Sequence, residues 1–205
     1  MKDLKKSRKE LQYNEDKNEK ISKIQKREGA TVVELIQASL MAALFCVLAP
    51  HTLFLPVGPV GMTLGTLLVY VAGMLLNTRQ ALVSVLLYLA LGAVGLPVFS
   101  GYRAGAAVVL GPTGGYLIGY LPCVWLIGCF LQKKRTLGRF VLGAAMGTLL
   151  LYFAGSLWFV TVYAKGVTLS EALWQCVLPF LPGDAIKLAA AALLYRPLSE
   201  VRRRL

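Results

Sequence analysis

The sequence predicts an all-α integral membrane protein with six transmembrane helices and both termini on the cytoplasmic side. Three observations lead there. Of the 205 residues, 57% are hydrophobic and only 16% are charged, against about 25% charged in soluble domains. The charges are also segregated: no Asp, Glu, Lys or Arg occurs in 35–78, 80–102, 104–132 or 140–164, and about 20 apolar residues cross a bilayer. Finally, the basic residues are one-sided. With the N-terminus inside, the inside segments hold 19 Lys and Arg, and the outside segments hold two, Arg103 and Lys165. Lys187 is the remaining one, within the last apolar stretch. This imbalance follows the positive-inside rule of a cell membrane. It accounts for the net charge of +12 without nucleic acid, because the basic residues flank apolar spans.

Each element follows in order. Residues 1–28 alternate Lys and Arg with Asp and Glu and hold few large apolar residues, so they read as a solvated cytoplasmic tail. Its basic excess favours anionic headgroups, and it is too long and charged for a cleaved signal peptide. The membrane domain is expected over 29–198, with a basic cytoplasmic end at 199–205. The first span runs over 31–48. Pro50, Pro56, Gly58 and Pro59 break the first charge-free run, and a second span follows over 61–76. Asn77, Thr78 and Arg79 make an inside turn before the third span, 81–96. An outer connection, 97–103, leads to the fourth span, which starts near Ala104 or Gly111 and ends near Gln132. A basic inside loop, 133–139, precedes the fifth span, 140–163. In the next outer loop, Ser170, Glu171, Ala172, Leu173 and Trp174 suggest a short interfacial helix with Ser170 as its cap. The sixth span runs over about 183–198.

Two segments carry polar chemistry. Gly111-Pro112-Thr113-Gly114-Gly115-Tyr116 heads the fourth span. Glycine and proline at this density open the backbone, which membrane depth tolerates only beside protein or a cavity. The segment lacks the Gly-Lys-Ser/Thr ending of a phosphate loop. Its plain alternative is a tightly packed helix start. The second segment, Pro179-Phe180-Leu181-Pro182-Gly183-Asp184, is followed by Lys187. Ionisable groups at membrane depth face a cavity or a partner, and positions i and i+3 share a helix face. Here the plain alternative is a self-satisfied ion pair. Both segments and the 97–103 connection fall at the outer side, which predicts an outward pocket for a small polar solute.

Taken in this order, Gly95-Leu96-Pro97-Val98-Phe99, the Gly111 to Tyr116 segment with Leu117, and the Pro179 to Asp184 segment with Lys187 resemble the hallmark segments of the BioY family. These are the biotin-binding S components of energy-coupling factor (ECF) transporters. The resemblance covers about 31–198. It implies an ECF S-component-like bundle that captures biotin from outside, with a transmembrane coupling protein and two cytoplasmic ATPases as partners. It implies that Asp184 binds the ureido N–H groups and that Lys187 pairs with a polar ligand group such as the carboxylate. It further implies that Gly111, Pro112, Thr113, Gly114, Gly115 and Tyr116 wall the pocket and that Ser100 or Arg103 supplies further contacts. Ala38 and Ala42 match the small-residue pair by which S components dock on the coupling protein. The chain departs from many relatives at Thr63-Leu64-Gly65, where they carry Thr-Leu-Gln.

Other readings compete. An S component for a different vitamin or small carboxylated solute needs only a few changed pocket residues. An intramembrane enzyme would need a His-Glu-x-x-His motif, paired aspartates or a Ser/His pair in the spans, and the sequence has none. A channel would need polar residues along a path rather than at one end. The four cysteines have no CxxC spacing and His51 is the only histidine, so no metal or cofactor is expected. A homo-oligomer is compatible with the sequence.

Overall fold

A computed structural model describes residues 31–53, 62–163, 166 and 168–204. The charged tail, the Pro56-Gly58-Pro59 break and Lys165 lie outside the described residues. The chain divides into two units, Met1–Gln37 and Ala38–Leu205. The described part of the first unit is helical and exposes Val32, Val33, Leu35 and Ile36. Everything below concerns the second unit, apart from the first turns of the helix Thr31–Leu48.

Among the described residues, six apolar helices follow in the predicted order. They are α1 (Thr31–Leu48), α2 (Gly65–Leu75), α3 (Thr78–Val94), α5 (Gly114–Lys133), α6 (Leu137–Trp158) and α8 (Leu181–Arg204). Two short helices, α4 (Ala106–Val109) and α7 (Leu169–Cys176), lie between them. Among the described residues, four stretches are long and apolar enough to cross a membrane: Thr31–Leu48, Gly114–Lys133, Leu137–Val162 and Ser170–Glu200. Helix α2 has 11 residues and α3 has 17, so at 1.5 Å per residue they reach only about 17 and 26 Å. The α1–α2 connection is not wholly irregular. Strands β1 (Thr52–Leu53) and β2 (Met62–Thr63) form a two-residue antiparallel ladder that pairs Thr52 with Thr63 and Leu53 with Met62. The ladder claims residues expected in the second span, which is why α2 begins at Gly65.

Other boundaries move for local reasons. Helix α3 begins at Thr78 because Gln80 Oε1 accepts the Asn77 N–H at 2.8 Å, which ties the turn into the helix start. It ends at Gly95, whose φ of 122° is open to glycine and strained for other residues. The fourth span starts at neither expected residue. One turn, α4, stands alone, and α5 begins at Gly114, because Pro112 has no N–H to continue the earlier turn. Helix α6 starts at Leu137, where Thr136 Oγ1 accepts the Arg139 N–H, and it ends in a π turn, Phe159–Tyr163. Ser170 is not the cap of α7. Thr168 caps it in a reciprocal box with Glu171, three residues on as that box requires. Helix α8 starts two residues earlier than expected and continues past Leu198 to Arg204, with Pro197 inside it.

The most extensive packing joins α5 to α6; α2 packs on α5 and α8, and α3 on α5. Small residues permit the close seam. A side chain on Gly147 would meet Cys123, one on Gly143 would meet Phe130 and Ile127, and one on Gly119 would meet Leu151. Phe45, Tyr88 and Phe99 form a buried aromatic group, with ring centroids 5.2 and 5.6 Å apart. It fixes the end of α1 and the 97–103 connection against α3. Such ring pairs contribute about 0.5–1.5 kcal/mol beyond their burial.

Candidate functional site

Four helices bring polar side chains to one end of the bundle, each at helical spacing. Thr66 and Tyr70 lie on α2, Tyr116 and Tyr120 on α5, Thr148 and Tyr152 on α6, and Asp184 and Lys187 on α8. Spacings of three and four put each pair on one helix face. The faces meet in direct hydrogen bonds. Thr66 Oγ1 donates to Asp184 Oδ1 at 2.8 Å, and Tyr152 Oη donates to Oδ2 at 2.5 Å. Lys187 Nζ donates to Asp184 Oδ1 at 2.8 Å and to Thr66 Oγ1 at 3.1 Å. Below this group, Tyr70 and Thr148 hydroxyls lie 2.6 Å apart and join α2 to α6. All six of these side chains are buried.

The upper group borders a cavity of about 620 Å³, part of it open to solvent. Asp184, Lys187, Thr63 and Thr66 form its polar side. Phe99, Leu117, Leu151 and Phe180 supply apolar walls, and Ser100, Thr113, Tyr116, Tyr120 and Tyr152 complete the lining. Asp184 and Lys187 are buried beside apolar walls and phenols, so their hydrogen bonds act in a low local dielectric.

The 97–103 connection that carries Phe99 and Ser100 is tied to the end of α1. Gly101 N–H donates to the Pro50 carbonyl at 3.0 Å, and Tyr102 Oη lies 3.2 Å from His51 Nε2. Phe99 and Arg103 form an antiparallel bridge. Tyr102 takes a φ of 59°, a left-handed conformation that is costly for a residue with a Cβ.

The residues singled out in the sequence divide between lining and support. Asp184, Lys187, Thr113, Tyr116 and Ser100 line the cavity. Gly111, Pro112, Gly114, Gly115 and Arg103 do not. Gly111 accepts a hydrogen bond on its carbonyl from Trp158 Nε1 at 3.0 Å. A Cβ on Gly114 would strike the Val109 carbonyl, and one on Gly115 would strike Trp158. These glycines let α4 and Trp158 close on the start of α5, and so hold Thr113 and Tyr116 in place. Arg103 Nε donates to the Ser100 carbonyl at 3.1 Å, bracing the wall from outside. Ala38 and Ala42 are 1% and 3% exposed. They share the face of α1 that carries Met41 and Phe45, so within the single chain this pair is covered. Among the described residues no group of three His, Cys, Asp or Glu gathers.

Sequence reasoning missed Thr63, Thr66, Tyr120 and Tyr152. A signal existed, since hydroxyls recur at three- and four-residue spacing in otherwise apolar spans. At the departure from Thr-Leu-Gln, a side chain on Gly65 would strike the Tyr120 hydroxyl, which lies 3.5 Å from Thr63 Oγ1. The space beside position 65 is therefore filled from α5.

The BioY family pattern matches residues 18–204. The "Biotin transporter BioY" of Thermotoga maritima is 34% identical over 161 residues, covering 78% of this chain and 92% of that protein. The "Probable biotin transporter BioY" of Pyrococcus horikoshii is 37% identical over 138 residues, 67% of this chain and 80% of that one. Among solved structures, the S-component for biotin from an ECF-type ABC transporter superposes with a TM-score of 0.75 at 30% identity. It covers 84% of this chain and 93% of its own.

Proposed function

The chain belongs to the BioY family, and on that premise we propose that it captures biotin as the substrate-binding S component of an ECF transporter. The observation that carries the reading is the cavity whose polar end is the buried Asp184–Lys187 pair. Biotin has a ureido ring with two N–H donors, an apolar bicyclic body and a carboxylate. Asp184 accepts from a ureido N–H, and Lys187 pairs with a ligand oxygen, as ammonium groups do with carboxylate or carbonyl. Phe99, Leu151 and Phe180 cover the apolar body, and Thr113, Tyr116 and Ser100 complete the wall, which Arg103 braces from outside.

The bilayer arrangement belongs to the same proposal. We assign α1, α2, α3, α5, α6 and α8 as six spans, with N- and C-termini cytoplasmic. The charge asymmetry supports this. Lys133, Lys134 and Arg139 lie around the α5–α6 turn, at the helix ends opposite the Asp184–Lys187 end. The cavity then opens outward, and 1–28 and 199–205 flank the membrane domain on the inside. The chain has no Walker motif, so energy comes from partners, a transmembrane coupling protein with two ATPases. Docking through Ala38 and Ala42 requires the face that they share with Met41 and Phe45 to open.

Titration calorimetry of the purified chain in detergent tests the ligand. The expected outcome is about one biotin per chain, with at least ~100-fold weaker binding after Asp184→Ala or Lys187→Ala, since either leaves a buried charge unpaired. A folded wild type that binds no biotin would sink the proposal.

A further inference from the structure

The hydroxyls around Asp184 carry an inference that rests on the biotin reading and deepens it. An ionised carboxylate has about four acceptor positions. Among the described residues three are taken: two on Oδ1, by Thr66 and Lys187, and one on Oδ2, by Tyr152. Thr66 gives its only hydroxyl proton to Oδ1 and so receives Lys187 on a lone pair.

Lys187 alone would hold the carboxylate poorly. It is a point charge on a flexible stem, three residues along the same helix, and the carboxylate torsion itself is broad. Thr66 comes from α2 and Tyr152 from α6, so the two hydroxyls grip different oxygens from different helices and stop that rotation. We propose that Thr66 and Tyr152 are positioning residues that fix the plane of the Asp184 carboxylate and leave one acceptor direction, on Oδ2, for a ligand N–H. A carboxylate already oriented loses little freedom when the ligand arrives. Thr66 also sets Lys187, since it receives one ammonium proton while Oδ1 receives another.

A purely structural tie between α2, α6 and α8 predicts a different outcome, and ligand selectivity separates the two. Wild type, Tyr152→Phe, Thr66→Val and Thr66→Ser are titrated in detergent with biotin and with two biotins methylated on one or the other ureido nitrogen. Their melting temperatures are recorded alongside. Tyr152→Phe and Thr66→Val should weaken biotin by roughly 10- to 100-fold, the effect of a lost hydrogen bond to a charged group. Both should also shrink the preference for biotin over one methylated isomer, while Thr66→Ser keeps affinity and preference. Equal weakening of all three ligands, or unchanged biotin binding, overturns the assignment. If Tyr152→Phe does not fold, the contrast between the near-isosteric Thr66→Val and Thr66→Ser decides it. A wild type that binds no biotin overturns instead the function proposed above, and this is distinguishable because every other outcome starts from a wild type that binds.

Discussion

Asp184 and Lys187 are buried charges, and a buried pair is held only where geometry and further hydrogen bonds offset its desolvation. Thr66 and Tyr152 supply those bonds. The glycines of the 111–116 segment act differently, by what they leave out. At Gly114 the obstacle to a side chain is the Val109 backbone carbonyl, which cannot swing aside as a side-chain tip would. Gly114→Ala should therefore force α4 away from α5, at a cost of about 1–3 kcal/mol for overpacking. The check is thermal unfolding in detergent. A lowered melting temperature is expected together with weaker biotin binding, because Thr113 and Tyr116 move with the helix start. An unchanged melting temperature would mean that the turn has room that its geometry does not show.

At the scale of elements, the short helix α2 shapes the cavity. It starts late because β2 takes Met62 and Thr63, so Thr63 lines the cavity from a strand while Thr66 lines it from the helix. At its other end, Arg135 Nη1 donates to the Met74 carbonyl at 2.9 Å, and Nη2 reaches the Leu76 carbonyl at 3.5 Å. Helix ends leave such carbonyls unpaired, and a cation there also suits the helix dipole. Arg135→Ala should destabilise the chain by about 1 kcal/mol. Because Arg135 lies at the helix end opposite the cavity, biotin affinity should hold within about threefold, a shift of under about 0.7 kcal/mol. Thermal melts paired with calorimetry separate the two effects. A large loss of affinity without a loss of stability would mean that α2 transmits strain along its length.

For the whole molecule, the prediction concerns orientation in the bilayer. The proposed orientation, argued from the 19-to-2 split of basic residues and the positive-inside rule, has the α5–α6 turn inside and α7 outside. In a cysteine-free background, Ser170→Cys should react with a membrane-impermeant thiol reagent in intact cells. Gly138→Cys should react only after permeabilisation. The reverse pattern would turn the cavity to the cytoplasm and contradict capture from outside.

The sequence by itself determined the class of the molecule, the order of its six apolar helices and the two segments that carry ionisable and glycine-rich chemistry. Long charge-free runs and one-sided basic loops are properties of the chain that survive any packing. It also brought Asp184 and Lys187 together, since three residues along a helix define a shared face. What only the tertiary structure decided is which groups meet across helices. Thr66 on α2 and Tyr152 on α6 reach one carboxylate from 118 and 32 residues away. Hydroxyls in apolar spans look alike until helix rotation selects which of them face inward. The roles of the glycines were also hidden, because a missing side chain reveals its purpose only through the neighbour that fills the space: Trp158 over Gly115, and the Tyr120 hydroxyl against Gly65.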